Sequence, residues 1–257
     1  MDYKEINRKS WNRRTELHID SKFYDVEGFL GGRNTLCEIE INELGDVAGK
    51  SLLHLQCHFG LDTLSWARLG AIVTGVDLSS TAIEKAKILS KQAGLDSQFI
   101  CADVYGFGES SKQQYDVVFT SYGALCWLPD IKKWADVVAG SLKSGGTFYM
   151  AEFHPFYDVF TGYSYFHRPE PDIEEEGTYT ENDRGETSTS VTWAHSISDV
   201  VNALLGAGIQ ITQLNEYPYS PYNCFDGMVE REKDKFFLLH KGQEIPLVYT
   251  VKGIRHG

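Results

Sequence analysis

The sequence predicts an α/β protein built on one doubly wound sheet of seven strands, mostly parallel, with an antiparallel last strand. Three observations carry that expectation. From about residue 50, short apolar runs rich in β-branched or aromatic residues alternate with segments of helical period, the pattern of βαβ units around a parallel sheet. After the fifth run the alternation lapses over residues 153–195 into an aromatic, acidic, turn-rich insertion. Regular pattern then returns as a helix and two strands with too little sequence between them for an evident crossover helix, so the last pair is expected to be antiparallel.

In chain order, residues 1–45 form a separate N-terminal helical segment, and residues 46–257 form the main domain, interrupted by the insertion at 153–195. Strands are expected over residues 51–56, 71–76, 97–101, 115–120 and 147–152. The clearest helix covers residues 80–93, where Ala82, Ile83, Ala86 and Leu89 recur at three- and four-residue spacing. Ser79 or Ser80 can cap its start, and Gly94 suits its end. Beyond the insertion come a helix over 196–205, a strand over 209–216 and a last strand over 246–251, with residues 231–239 as a short helix between the two strands.

The 257 residues suffice for one large domain with a substantial core, and the 42% hydrophobic and 23% charged composition is that of a globular chain. A formal charge of −12 opposes binding to nucleic acid, whose phosphates require Lys and Arg. Eight acids crowd residues 170–186 around one base, Arg184, as a solvated face. No secretory leader or membrane-length apolar run is evident, so a cytoplasmic protein without a membrane partner is expected. Five widely spaced cysteines without a C-x-x-C pair read as reduced thiols. Neither H-E-x-x-H nor G-x-S-x-G occurs, so no metal site is expected, and acyl transfer lacks its motif.

Chemistry concentrates in SLLHLQCHFGLDTLSWARLGAIVTGVDLS, which reads strand, tight turn, helix, second strand, then an acid. Asp77 follows Gly60 by seventeen residues, the spacing that brings a carboxylate beside the first βα turn to accept from a ribose diol. The competing reading makes Asp77 the cap of the next helix from the DLSS turn.

The stretch from Leu52 to Gly60 resembles the first motif of class I S-adenosylmethionine-dependent methyltransferases, a hydrophobic strand followed by D-x-G-x-G-x-G. It departs from that motif at three places: His54 stands at the acid, Gln56 and His58 replace two glycines, and Gly60 remains. GVDLS, ICADV, YDVVFTSYGALCWLPD and LKSGGTFYMAEFHP resemble the family in the same order, and a subgroup carrying QCHFGLDTLS is the nearest likeness. The resemblance implies a Rossmann-like fold with S-adenosylmethionine as cofactor. It assigns Asp77, with Leu78 beside it, to the ribose, and Asp103 and Val104 to adenine. It also assigns Ser121 and Tyr122 to the methionyl side, while Gln56, Cys57, His58 and Gly60 line the cofactor chiefly through backbone. Trp11, Asn12 and Thr15 would lie on a lid helix over the cofactor's amino-acid end. Without an acid at position 54, the cofactor's ammonium needs a main-chain carbonyl or another carboxylate. His54 and His58 read either as neutral structural residues or as groups titrating near neutrality.

The expected reaction is metal-free, in-line methyl transfer to a small molecule, driven mainly by positioning. Where the acceptor must lose a proton, His154, Glu152 and Tyr122 are the catalytic candidates, with His195 behind them. Aromatic residues from Trp11 through Trp127 to Phe166 can wall a dry pocket and face a sulfonium cation. Expected partners are the small-molecule substrate and a second copy of the chain as a homodimer. Two alternatives stand: a binding protein of this fold without turnover, and a nicotinamide-dependent oxidoreductase, which Gln56 and His58 oppose in the phosphate-binding turn.

Overall fold

The computed structural model describes residues 1–256. Its sheet has seven strands: β1 (Ser51–Leu55), β2 (Ile72–Asp77), β3 (Ser97–Cys101), β4 (Tyr115–Ser121), β5 (Leu142–Phe153), β8 (Ile209–Tyr217) and β14 (Val248–Arg255). Two more strands, β6 (Asp172–Glu176) and β7 (Ser188–Thr192), form a hairpin in the insertion, and the short strands β9 (Tyr219–Ser220), β10 (Val229–Glu232), β11 (Lys235–Phe237), β12 (Leu239–His240) and β13 (Gln243–Glu244) lie between β8 and β14. The order across the sheet is β3-β2-β1-β4-β5-β14-β8, as the doubly wound expectation requires. The first five strands pair in parallel, and β14 runs antiparallel to both β5 and β8.

Both faces of the parallel strands are covered, which is why they read as continuous apolar runs. Leu53 and Leu55 of β1 face α7 (Ile131–Ser141) and α9 (Ile197–Gly206) in a core with Trp134, Phe148 and Val251. Leu52, one residue before them, faces the other way toward Trp66, Phe119 and Tyr149. The helix α5 (Ser80–Ala93) has the expected bounds: the Ser79 hydroxyl accepts from the Ala82 amide at 3.0 Å, and Gly94 closes it at φ 65°. Its Ala82, Ile83, Ala86 and Leu89 stripe is buried.

Two expectations need correction. Residues 231–239 form no helix. They belong to a hairpin of β10 (Val229–Glu232) and β11 (Lys235–Phe237), turned at Asp234 with φ 58° and docked on β9 (Tyr219–Ser220). The last strand starts at Val248, two residues late, and continues to Arg255 because β5 and β8 pair with it along that length.

The N-terminal segment is helical, and α1 (Tyr3–His18) lies across the C-terminal edge of the parallel strands. It also binds the insertion: Asn7 donates to the Val191 carbonyl at 2.8 Å and accepts from its amide at 2.9 Å, completing an edge of β7. No helix among the described residues is long and apolar enough to cross a membrane.

Candidate active site

The C-terminal ends of the parallel strands open into a cavity of about 550 Å³, roofed by α1 and by parts of the insertion. It collects residues from distant parts of the chain, as clefts at this edge of an open α/β sheet do.

The first βα turn shapes its floor. Gln56 and His58 sit at φ 59° and 51°, the left-handed region in which glycine is unstrained, so the chain keeps a glycine-type turn with side chains in place. Each such residue costs about 1 kcal/mol or more. Gly60, at φ 79°, is different: a β-carbon there would come within 2.6 Å of the Phe99 ring, so space as well as conformation retains the glycine. The Gln56 side-chain amide donates to the Ala124 carbonyl at 2.6 Å and ties this turn to the loop after β4.

Asp77, at the end of β2, lies in the cavity wall. One oxygen accepts from the His58 amide and the other from the Ser79 amide, both at 2.8 Å. The helix cap is Ser79 itself, so Asp77 holds the two turns together and keeps a further lone pair on each oxygen for a ligand. Burial lifts its carboxyl to about 6, against the pull of those two amides. Asp103, after β3, caps α6 (Val104–Ser110) through the Gly106 amide at 3.2 Å and pairs with Lys4 of α1 at 2.7 Å. Both contacts fall on Oδ1.

Cys57 in the turn, and Leu78, Val104, Ser121, Tyr122 and Trp11 beyond it, line the same cavity, whereas Asn12 and Thr15, expected on the lid, do not. Trp11 stacks edgewise on His58 and on Trp127, with centroids 5.1 and 5.2 Å apart. Asn12 accepts from the Ser79 hydroxyl at 2.7 Å, which places this part of α1 above the start of α5. Thr15 instead turns back to its own helix, donating to the Trp11 carbonyl.

The histidines resolve toward their structural reading. His54 is buried, its Nδ1 2.8 Å from the Thr63 hydroxyl, and burial holds it down at about 3. His58 Nε2 lies 2.9 Å from His18 Nδ1. Burial, then the charges of His18 and Arg14, keep His58 well below its usual range. Neither ring titrates near neutrality.

Two of the catalytic candidates stand elsewhere. Side chains alternate along β5, so Phe153 reaches the cavity while His154 turns to the β8 side, where Nε2 meets Glu216 at 2.8 Å and Nδ1 accepts from the Phe156 amide at 3.1 Å. His154 lines a separate shallow depression with Phe156 and Tyr165. Glu152 is buried and fully engaged: its carboxylate accepts from the amides of Gly123, Ala124, Leu125 and Phe153. It clamps the loop after β4 and has no capacity left for an acceptor's proton. His195 is buried, with Nε2 2.7 Å from the Leu128 carbonyl. Tyr122 alone of the three remains at the cavity, at φ 25°, with its hydroxyl unpartnered.

Other residues escaped the sequence reading. Arg14 is nearly buried, pairs with Glu176 at 2.6 Å and lies over the Trp11 and Trp127 rings at 5.6 and 5.7 Å. Its i+3 spacing from Trp11 was the available signal. Asp158, on the short helix α8 (Phe156–Phe160), enters the wall, and burial, then the Glu152 charge, lifts its carboxyl to about 6. Tyr222, Cys224 and Phe225 close the far side from the β8–β14 connection, which carries no motif.

Residues 53–150, which hold β2 to β4 and most of β1 and β5, match the family model of a methyltransferase domain. Among curated relatives, a ubiquinone biosynthesis O-methyltransferase of Saccharophagus degradans is 30% identical over 154 residues, 59% of this chain and 65% of the relative. The chain thus spans less than two thirds of that protein's length. An S-adenosylmethionine-dependent methyltransferase from Clostridium acetobutylicum superposes with a TM-score of 0.61 at 15% identity, covering 96% of this chain and 99% of the other. One from Mesorhizobium loti does so at 0.57 and 19%, covering 88% and 100%. At those identities the likeness is one of fold.

Proposed function

We propose that this chain is a S-adenosylmethionine-dependent methyltransferase acting on a small molecule. The observation that carries this reading is the convergence of Asp77, Asp103 and the Ser121–Tyr122 loop on one cavity that continues into an aromatic wall. The residues present fit the cofactor. Asp77 keeps acceptor capacity for the ribose hydroxyls, Asp103 Oδ2 is the atom left for the adenine amino group, and Gln56 Oε1 and His58 Nδ1 are buried atoms without partners. When bound, the cofactor supplies an activated sulfonium methyl group. The protein's part is to align it and keep water out, which lowers barriers by about 7–11 kcal/mol when placement is good.

Trp127, Phe153 and Phe225 give the acceptor side its apolar surface, and the relatives' O-methyltransferase name makes a ring-bearing hydroxyl compound the first acceptor class to test. For such an acceptor, Asp158 takes the proton-accepting place expected of His154, being in the wall and poised near 6. His154→Ala is accordingly expected to cost about 1–2 kcal/mol in denaturant unfolding and to leave cofactor affinity unchanged. The free cysteines, with Cys57 buried, support a reducing, cytoplasmic setting.

The test is calorimetric titration with S-adenosylhomocysteine and NAD, followed by transfer of a labelled methyl group into metabolite extracts. Tight binding of S-adenosylhomocysteine and one labelled metabolite are expected. NAD binding in its place would overturn the reading, and binding without any labelled product would favour the turnover-free alternative.

A further inference from the structure

Position 54 cannot supply the negative charge that the cofactor's amino-acid end needs, because His54 is buried and neutral. A carboxylate reaches the same place from the next element. Asp62, the second residue of α4 (Leu61–Arg68), lines the cavity, and its Oδ2 accepts from the Ser121 hydroxyl at 3.3 Å. That hydroxyl is 3.4 Å from His54 Nε2. Asp62 Oδ1 accepts from Thr35 Oγ1 at 2.7 Å, which in turn lies 2.9 Å from Ser65 Oγ.

Both bonds come from neutral hydroxyls, so they orient the carboxylate without neutralising it. Arg33, the cation whose field reaches Asp62, is itself engaged by Asp25 at 2.9 Å and by the Tyr24 carbonyl at 2.8 Å. Burial holds the Asp62 carboxyl above its usual range. Asp62 therefore faces the cavity held by two hydroxyls, with no ion pair to it among the described residues.

We propose that Asp62 binds the α-ammonium group of the cofactor's methionyl end, taking the place of the acid that the resemblance would put at position 54. The inference rests on the methyl-donor reading. The charge is moved from the strand end to the first turn of the following helix, where the helix N-terminus also favours an anion. Ser121, expected on the methionyl side, fixes its direction. A charge-assisted bond to an ammonium in such a site contributes a tenfold or larger part of the affinity, roughly.

The experiment titrates three ligands into the parent chain and Asp62→Asn: S-adenosylhomocysteine, its desamino analogue, and 5′-methylthioadenosine, which lacks the whole amino-acid end. In the parent, the desamino analogue should bind about tenfold more weakly than S-adenosylhomocysteine. In Asp62→Asn that difference should vanish, while methylthioadenosine affinity stays as in the parent. Equal affinity of the first two ligands in the parent overturns the proposal whether or not the variant folds. So does a difference that survives in a folded Asp62→Asn. A parent that binds none of the three fails the methyl-donor reading itself, which separates that failure from a mistaken ammonium partner.

Discussion

Asp77→Asn is expected to weaken S-adenosylhomocysteine binding about a hundredfold, because it removes one of the two hydrogen bonds from the ribose diol to a charged acceptor, a loss of about 1.5–3 kcal/mol. Asn keeps one acceptor oxygen and turns an N–H₂ group toward amides that already donate, from His58 or Ser79. The pH dependence has a definite sign. A diol donates, so it binds the ionised carboxyl better, and that carboxyl sits at about 6 in the ligand-free protein. Affinity should be flat from pH 7 upward and fall as pH drops through 6, by up to about tenfold per unit. The variant should show a smaller fall, the remainder coming from Asp62 on the ammonium side, whose carboxyl burial also raises. His18 and His54, both at about 3, and His58, well below its usual range, add nothing in that window. Calorimetry at pH 5, 6, 7 and 8 reads all of this; a parent affinity that is level across the range would remove Asp77 from the ribose.

Glu152→Ala is expected to destabilise the fold by about 3–4 kcal/mol, a value set by buried donors left without acceptors. Four amides converge on that carboxylate, three of them from consecutive residues of the loop that carries Tyr122. Glu152→Gln should recover part of the loss, since one oxygen can still accept. Urea unfolding with an unchanged slope would assign the effect to stability. A loss below about 1 kcal/mol would mean that the loop is held by other contacts.

The same carboxylate shows where the sequence stops being informative. An acid at a strand end reads equally as a base or as a clamp, and only the loop's path decides. The parallel strands were legible because burial on two faces leaves continuous apolar runs, and α5 because its stripe, Ser79 cap and Gly94 terminus agree. His154 was misplaced by one step of strand alternation, which turned it away from the mouth. The 229–237 hairpin was missed because its pairing depends on docking against Tyr219–Ser220, a contact without a local trace. The departures at Gln56 and His58 were visible as residues. That they preserve left-handed backbone was not, since the surroundings impose that conformation.

The paired bonds between Asn7 and Val191 join residues 184 positions apart. The helix carrying Asn7 precedes the parallel strands in the chain, and its partner hairpin is made only after those strands are complete. Closure over long sequence separation is slow, so the roof of the pocket should assemble after the parallel strands, and the nascent chain must keep α1 waiting while that floor is built beneath it.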